Sequence, residues 1–168
     1  MSGKREEELE VLKREIRRAN LVLAGLGEEL TGDGRSAFYQ GLAQLLNGKD
    51  YFIVSLSNDR KELTAAGLSA EQMTFPLAGE EEKDSWDRYL HWLSFTLNQK
   101  LCILELGVGF AHPQLIRFPF EKTCYFNQKA RMIRIHPRFP QLSEEIAMRG
   151  ISIEADPLML LAAEEDGK

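Results

Sequence analysis

Short apolar runs alternate along this chain with longer segments that mix apolar and polar positions. The runs at 21–24, 51–55 and 101–106 contain almost no polar residue, which is typical of parallel strands that are covered on both faces. The segments between them repeat apolar residues at helical spacing, most clearly in "EEEKDSWDRYLHWLSFTLNQK". The alternation predicts an α/β fold with a single Rossmann-like, doubly wound, mainly parallel sheet and helices on both faces.

Caps and chain breakers set the expected boundaries of the elements. Residues 1–19 are predicted to form an amphipathic N-terminal helix, and Asp84 or Ser85 is placed to cap the aromatic helix. That helix carries an apolar stripe made of Trp86, Tyr89, Leu90, Leu93 and Leu97. Further helices are expected at 36–46, 119–127, 143–149 and 157–163, with a short one ending near Gly67, and further strands at 73–77, 131–136 and 151–153.

Composition limits the class of protein. A length of 168 residues with 43% hydrophobic content suits one domain spanning 1–168. The net charge of -5, with basic residues interleaved among acids, argues against nucleic acid as a partner. The amino terminus is charged, and no segment approaches the roughly 18 to 20 apolar residues of a membrane span. The expected location is therefore the cytoplasm, away from membranes.

The two cysteines do not indicate a metal site. Cys102 lies inside an apolar run and Cys124 lies near aromatic residues, and the pair lacks CxxC spacing. We expect neither a disulfide nor zinc, which agrees with a reducing compartment.

Two glycine-rich turns follow predicted strands. Gly25, Leu26 and Gly27 end the first strand, and Gly107, Val108 and Gly109 follow the strand at 101–106. At the carboxyl ends of parallel strands such turns allow a phosphate to approach the backbone, and a side chain at Gly25 or Gly27 would block it. The same glycines also suit a tight turn without any ligand, so both interpretations stay open.

Acidic residues after the first turn complicate phosphate binding. Glu28 and Glu29 would repel a phosphate unless they point away or bind a ribose hydroxyl. A third acid, Glu105, interrupts a strand that is otherwise apolar, so its burial requires a cationic partner. Arg117 or Arg134 is expected to supply that charge.

Polar residues at other strand ends are further candidates for a site. Ser57, Asn58 and Asp59 follow the second strand, where either a polar loop facing the cleft or a helix cap is expected. His112 lies just beyond the second glycine turn and His136 at a strand end, so both are better placed for acid–base chemistry than His91 on the aromatic helix.

With these residues placed, the chain resembles the nucleotide-binding core of the sirtuin family, the NAD-dependent protein deacylases, and more closely a short, divergent bacterial branch of it. "LVLAGLGEELT" is similar to the sirtuin opening strand and Gly-Ala-Gly phosphate loop, with Gly25 and Gly27 on the two glycines. "YFIVSLSND" is similar to the strand that ends in the family's Asn-x-Asp motif, with Asn58 or Ser57 at the asparagine and Asp59 at the aspartate.

The resemblance continues in the second half of the chain. "LCILELGVGF" with "PQLIRFPFEK" is similar to the branch's version of the strand and Gly-Thr-Ser turn that hold the ribose in sirtuins. "RMIRIHPRF" is similar to the strand that ends beside the adenosine, with His136 in place of the usual asparagine. The resemblance implies a sirtuin-like NAD-binding core with NAD or ADP-ribose as the cofactor.

Departures from the family argue against deacylase chemistry. Where a sirtuin carries the His-Gly pair that supplies its general base, this chain has Ala78 before Gly79. The four-cysteine zinc module is absent, and "TGDGRSAFY" replaces the loop that covers the nicotinamide end, with Arg35 and Phe38 as loose counterparts. The resemblance therefore implies a catalytically degenerate domain, a pseudoenzyme, that binds NAD, ADP-ribose or a related adenine nucleotide.

Two other functions remain open at this point. An NAD-consuming hydrolase would use Asn58 to hold the ribose or water and His112 as the base. A non-catalytic protein-interaction module, with a protein partner or a homo-oligomer, would expose the aromatic helix around Trp86 and Trp92.

Overall fold

The computed structural model describes residues 2–163, so the expected domain 1–168 includes Met1 and 164–168, which lie outside the described residues. The strands are β1 (Leu21–Leu26), β2 (Asp50–Ser55), β3 (Met73–Thr74), β4 (Leu101–Leu106), β5 (Arg131–Ile135) and β6 (Gly150–Ile153). The helices are α1 (Ser2–Arg18), α2 (Arg35–Leu46), α3 (Arg60–Ala65), α4 (Lys83–Ser94), α5 (Arg117–Phe126) and α6 (Pro157–Leu160). Short 3-10 turns occupy Ala70–Gln72, Glu80–Glu82 and Ala147–Arg149.

All six strands belong to one parallel sheet in the order β3-β2-β1-β4-β5-β6. Each crossover between parallel strands needs a long connection, and the helices supply most of these connections. The predicted α/β fold, Rossmann-like with a parallel sheet and helices on both faces, is confirmed. β3 lies at one edge and is only two residues long, shorter than the expected 73–77, because Pro76 has no amide hydrogen to extend the ladder.

Residues alternate between the two faces of each strand, and each face has its own helical layer. Val22 and Ala24 of β1 pack in the cluster that includes residues of α1, α2, α3 and α6. Leu21 and Leu23 pack in the cluster that includes residues of α4 and α5. The central strands are buried along their whole length, which is why they lack a polar face in the sequence.

Three local expectations are wrong. Residues 143–149 form only the 3-10 turn Ala147–Arg149 in place of the expected helix, and Gly150 begins β6. α4 begins at Lys83 without a side-chain cap from Asp84 or Ser85, because the Ser85 hydroxyl bonds to Glu82 and Thr74 instead.

The apolar stripe of α4 is also narrower than predicted. Leu90 is 47% exposed and Leu97, beyond the end of the helix, is 60% exposed. Trp86 and Trp92 pack against the core cluster, and the Trp92 indole donates to Asp50 at 2.8 Å. Both tryptophans are therefore half-buried, and the exposed apolar side chains of this region are Leu90, Phe95 and Leu97.

Hydrophobicity of the helices gives no sign of membrane insertion. Within residues 2–163, none of the helices combines the length and the apolar composition that crossing a bilayer requires.

Candidate functional site

The pairing of β1 with β4 creates the point where the strand order reverses. β2 and β3 extend the sheet beyond β1, whereas β5 and β6 extend it beyond β4. The loops that follow β1 and β4 therefore diverge from a shared position at the carboxyl edge of the sheet. In open α/β sheets this crevice is where ligands bind.

The two glycine turns meet at this point. The amide of Gly27 donates to the carbonyl of Leu106 at 2.9 Å, and the amide of Glu29 donates to the carbonyl of Gly107 at 3.2 Å. A Cβ atom on Gly27 would overlap the carbonyl oxygen of Gly107. The close contact between the two turns is thus sufficient to require a glycine at residue 27, whether or not a ligand binds.

Gly25 has a different role from the one expected of it. It lies inside β1, opposite Glu105 of β4, and its backbone faces α5. A Cβ there would lie 2.7 Å from the Phe120 ring and 2.8 Å from the Ile116 side chain. The glycine therefore makes room for α5 against the sheet, and a substitution would act first through packing.

The carboxylate of Glu28 fills the space between the turns. Its Oε1 accepts a hydrogen bond from the amide of Gly109 at 3.2 Å, and its Oε2 accepts one from the amide of Ala111 at 3.0 Å. A Cβ on Gly109 would lie 2.8 Å from Glu28 Oε2 and would overlap the Glu29 carboxylate. The loop after β4 thus presents two convergent amides to one anionic group, which is the pattern of a backbone anion site.

Glu29 reaches the end of β5 from the same loop. Its Oε2 lies 3.1 Å from His136 Nε2, and its Oε1 accepts a hydrogen bond from Arg138 at 3.1 Å. Burial alone raises the pKa of Glu29, but the contacts with His136 and Arg138 outweigh burial, so the net shift of the pKa is downward. The carboxylate is therefore held in its charged form beside Glu28.

His136 is fully buried and has a defined tautomer. Its Nδ1 accepts hydrogen bonds from the amides of Arg138 at 3.0 Å and Phe139 at 2.9 Å. Because Nδ1 is the acceptor, the proton of the neutral ring lies on Nε2, which faces Glu29. The histidine therefore orders the loop after β5 and is not poised as a free base.

The cluster after β2 centres on a buried carboxylate. Asp59 accepts hydrogen bonds from the hydroxyls of Tyr39 at 2.6 Å and Ser55 at 2.9 Å. Burial, and then the Asp59 carboxylate, raise the pKa of Tyr39 far above its ordinary value, so the phenol stays protonated as a donor. The amide of Ser57 donates to Ser55 Oγ at 3.2 Å, and Asn58 is exposed. Asp59 occupies the N-cap position of α3 without a side-chain cap bond, so its buried carboxylate serves the core.

Glu105 has its expected cationic partner. Arg134, its neighbour on β5, donates to both carboxylate oxygens at 2.8 and 3.0 Å, and also reaches Glu121 at 2.7 Å. Burial alone lowers the pKa of Arg134, but the bonds to Glu105 and Glu121 reverse the shift, so its pKa is raised. Of the two expected partners the structure uses Arg134, while Arg117 donates to the carbonyl oxygens of Val108 and Phe139.

The remaining candidates are less connected. His112 lies half-buried in the loop after β4, and within residues 2–163 its side chain makes no hydrogen bond and is not bonded to Asn58. The sequence indicated that Glu28 would repel a phosphate, but it did not predict that the Glu28 carboxylate accepts hydrogen bonds from the amides of Gly109 and Ala111. Tyr39 and Arg138 were missed altogether, because nothing local in the sequence connects them to Asp59 or Glu29.

Metal ligation has no support in the described part of the chain. No cluster of three or more His, Cys, Asp or Glu side chains suited to a metal ion occurs there. Both cysteines are buried, and burial raises the pKa of Cys102 to about 12. Its thiol is therefore protonated at neutral pH.

Comparison with known proteins adds no family to this description. No protein-family model matches the sequence, and no curated protein is significantly similar to it. The site must therefore be interpreted from its own geometry and from the resemblance of its motifs.

Proposed function

We propose that this chain is a catalytically degenerate, sirtuin-like domain that binds NAD, ADP-ribose or a related adenine nucleotide at the carboxyl edge of its sheet. The observation that carries the proposal is the convergence of the Gly109 and Ala111 amides on one anionic group between β1 and β4. Backbone amides in this position of a doubly wound sheet are suited to a phosphate.

The Glu28 carboxylate holds the place that a ligand phosphate would take. A phosphate enters only when Glu28 leaves the two amides, so the apparent affinity is reduced by the small fraction of molecules in which the amides are free. The charge of Glu29 next to it adds to the repulsion. We therefore expect the wild-type protein to bind nucleotide weakly, with Glu28 as a competing internal anion.

The surroundings of Ala78, His91 and His136 support the non-catalytic part of the proposal. Ala78 stands where the resemblance places the sirtuin histidine, and its half-buried methyl group packs against the core. His91 makes an edge-to-face contact with Phe95 on the exposed side of the molecule, and His136 accepts two amide hydrogen bonds at Nδ1. Only His112 is left to serve the alternative of an NAD-consuming hydrolase.

Calorimetric titration with ADP-ribose tests the binding site. Glu28→Ala frees the two amides and removes a charge, so we expect it to tighten binding by about tenfold, since two unit charges about 4 Å apart repel by about 1–4 kcal/mol at surface dielectric constants. Asp87→Asn on the exposed side of α4 is the charge-matched control and should leave the affinity unchanged. Equal or weaker binding by Glu28→Ala would contradict the proposed phosphate position.

Turnover assays test whether the domain is only a binder. Purified protein is expected to release no nicotinamide from NAD and to leave acetyl-lysine peptides intact in the presence of NAD. Nicotinamide release that is lost in both Asn58→Ala and His112→Ala, with ADP-ribose affinity retained, would establish the hydrolase instead.

A further inference from the structure

A second candidate site lies on the helical face of the molecule, away from the carboxyl edge. α1, α2 and the chain after α6 enclose a groove of about 580 Å³. Among residues 2–163, four cationic side chains line it, Arg5, Lys13, Arg17 and Lys49, and no acidic side chain does. This composition is unusual for a chain whose net charge is -5.

Within the described residues, three of the four cations are not neutralised by a carboxylate. No carboxylate oxygen of residues 2–163 lies within 4.0 Å of Arg5, Arg17 or Lys49, and Lys13 has only the exposed Glu10 at 4.0 Å. Arg5 donates to the carbonyl oxygens of Met159 at 3.0 Å and Ala162 at 2.9 Å. Such bonds orient a guanidinium group but leave its charge uncompensated.

Lys49 is fixed in the same way at the other end of the groove. Its ammonium group donates to the carbonyl of Ala19 at 2.6 Å and contacts that of Arg17 at 3.4 Å, where α1 ends. Carbonyl groups at a helix terminus favour a cation there. The two ends of the groove therefore hold pre-positioned positive charges, whereas the exposed Lys13 and Arg17 between them are free to reorient toward a ligand.

The spacing of the cationic side chains along α1 indicates that the ligand is elongated. Arg5, Lys13 and Arg17 of α1 all line the groove, and the 12 residue-to-residue steps from Arg5 to Arg17 span about 18 Å at the rise of an α-helix. Apolar side chains, Leu9, Ile16 and Leu45, line the groove between the charges. A compact phosphate ester would reach only part of such a row, whereas about six residues of extended peptide match its length.

We infer that this groove binds an extended acidic peptide segment of a partner protein, whose carboxylates pair with the α1 cations and whose apolar side chains contact Leu9 and Leu45. Charge complementarity and the length of the groove carry the inference. It does not depend on nucleotide binding at the carboxyl edge, because the two sites share no residue.

Fluorescence anisotropy with three labelled hexapeptides tests the inference on the full chain. The probes are Glu-Leu-Glu-Glu-Leu-Glu, its serine analogue Glu-Ser-Glu-Glu-Ser-Glu and the basic analogue Lys-Leu-Lys-Lys-Leu-Lys. We expect the first to bind most tightly, the serine analogue several-fold more weakly and the basic peptide not at all. Equal binding of the first two peptides, or tighter binding of the basic peptide, would overturn the inference.

Two double variants of α1 distinguish binding in the groove from non-specific electrostatic attraction to the protein surface. Lys13→Gln with Arg17→Gln removes two cations from the groove, and we expect about fivefold weaker binding or more, as is typical for the loss of two exposed ion pairs. Arg14→Gln with Arg18→Gln makes the same charge change on another side of α1 and should alter the affinity less than twofold. Equal losses in the two double variants would show non-specific attraction and overturn the inference.

Two further experiments test whether the groove binds a nucleic acid or the chain's own carboxyl-terminal acids instead. Hexathymidylate that binds as tightly as the acidic peptide would identify a nucleic-acid surface and overturn the inference. The variant Glu164→Gln, Glu165→Gln, Asp166→Asn removes the acids that follow Ala163 in the sequence. Peptide binding that appears only in this variant would identify the chain's own carboxyl-terminal acids as the occupant, which also overturns the inference.

Discussion

Gly27 and Gly107 are in direct backbone contact, although three strands, three α-helices and two 3-10 turns separate them in the sequence. A Cβ atom on Gly27 would overlap the carbonyl oxygen of Gly107, and Gly107 itself has a left-handed φ of 68°. The contact joins the two loops of the candidate site, so the geometry of the site depends on the absence of a side chain at residue 27.

Gly27→Ala is therefore expected to destabilise the protein. The backbone of Gly107 and Val108, which faces the new methyl group, must move. Overpacking of a tight site costs about 1–3 kcal/mol, and each kcal/mol lowers the melting temperature by a few degrees. Thermal unfolding followed by circular dichroism measures the change. Gly3→Ala, an exposed helical position with nothing within 4 Å, is the matched control and should not lower the melting temperature.

Gly25→Val should destabilise the fold through α5. The Phe120 and Ile116 side chains already lie 2.7 and 2.8 Å from where the Cβ would be, and the branched side chain adds two more methyl groups. We expect a larger loss of stability than for Gly25→Ala, and Phe120→Leu should restore part of it by making room. Urea denaturation of the single and double variants measures the coupling. If Gly25→Val abolished nucleotide binding at unchanged stability, the residue would face the ligand after all.

Arg134→Met should be strongly destabilising because it leaves the fully buried carboxylate of Glu105 without its bidentate partner. Breaking a buried ion pair from one side typically costs about 3–5 kcal/mol. The double variant Arg134→Met with Glu105→Leu removes both charges and is expected to recover much of that loss. A double-mutant cycle in urea gives the answer, and strictly additive losses would contradict a direct pair.

Acid should weaken the link between the β1 loop and the end of β5. The pKa of Glu29 in the folded protein lies below its ordinary value of 4.5 because of His136 and Arg138. As the pH falls, Glu29 therefore becomes protonated first in the unfolded chain. The stabilisation of the fold by the Glu29 charge is present above about pH 4.5 and is lost as the pH falls through the lower pKa of Glu29 in the folded protein.

Glu29→Gln provides the comparison for that pH dependence. It should be less stable than the wild type at pH 7, and the difference between the two proteins should shrink as the pH is lowered from 6 to 3. Melting temperatures of both proteins across this range measure it. A difference that stays constant with pH would show that the Glu29 charge does not stabilise the folded state.

The sequence by itself determined the class of fold. Strands that are buried on both faces have no polar side to display, so β1, β2 and β4 could be recognised from unbroken apolar runs, and the helices between them from their period. The requirement that Glu105 have a cationic partner could also be deduced, because an unpaired charge is too costly to bury. These inferences rest on local pattern or on a single energetic constraint.

Only the tertiary structure decided what the glycines and acids do. Gly25 and Gly27 are alike in sequence, but one faces Phe120 of α5 and the other touches the turn after β4. The choice of Arg134 over Arg117 depended on the register of β4 against β5. The placement of Glu28 on the amides of Gly109 and Ala111 joins residues more than 80 positions apart. Contacts of this kind arise from strand order and register, which no local period encodes, so the amides that an anion would use could be located only after the sheet was assembled.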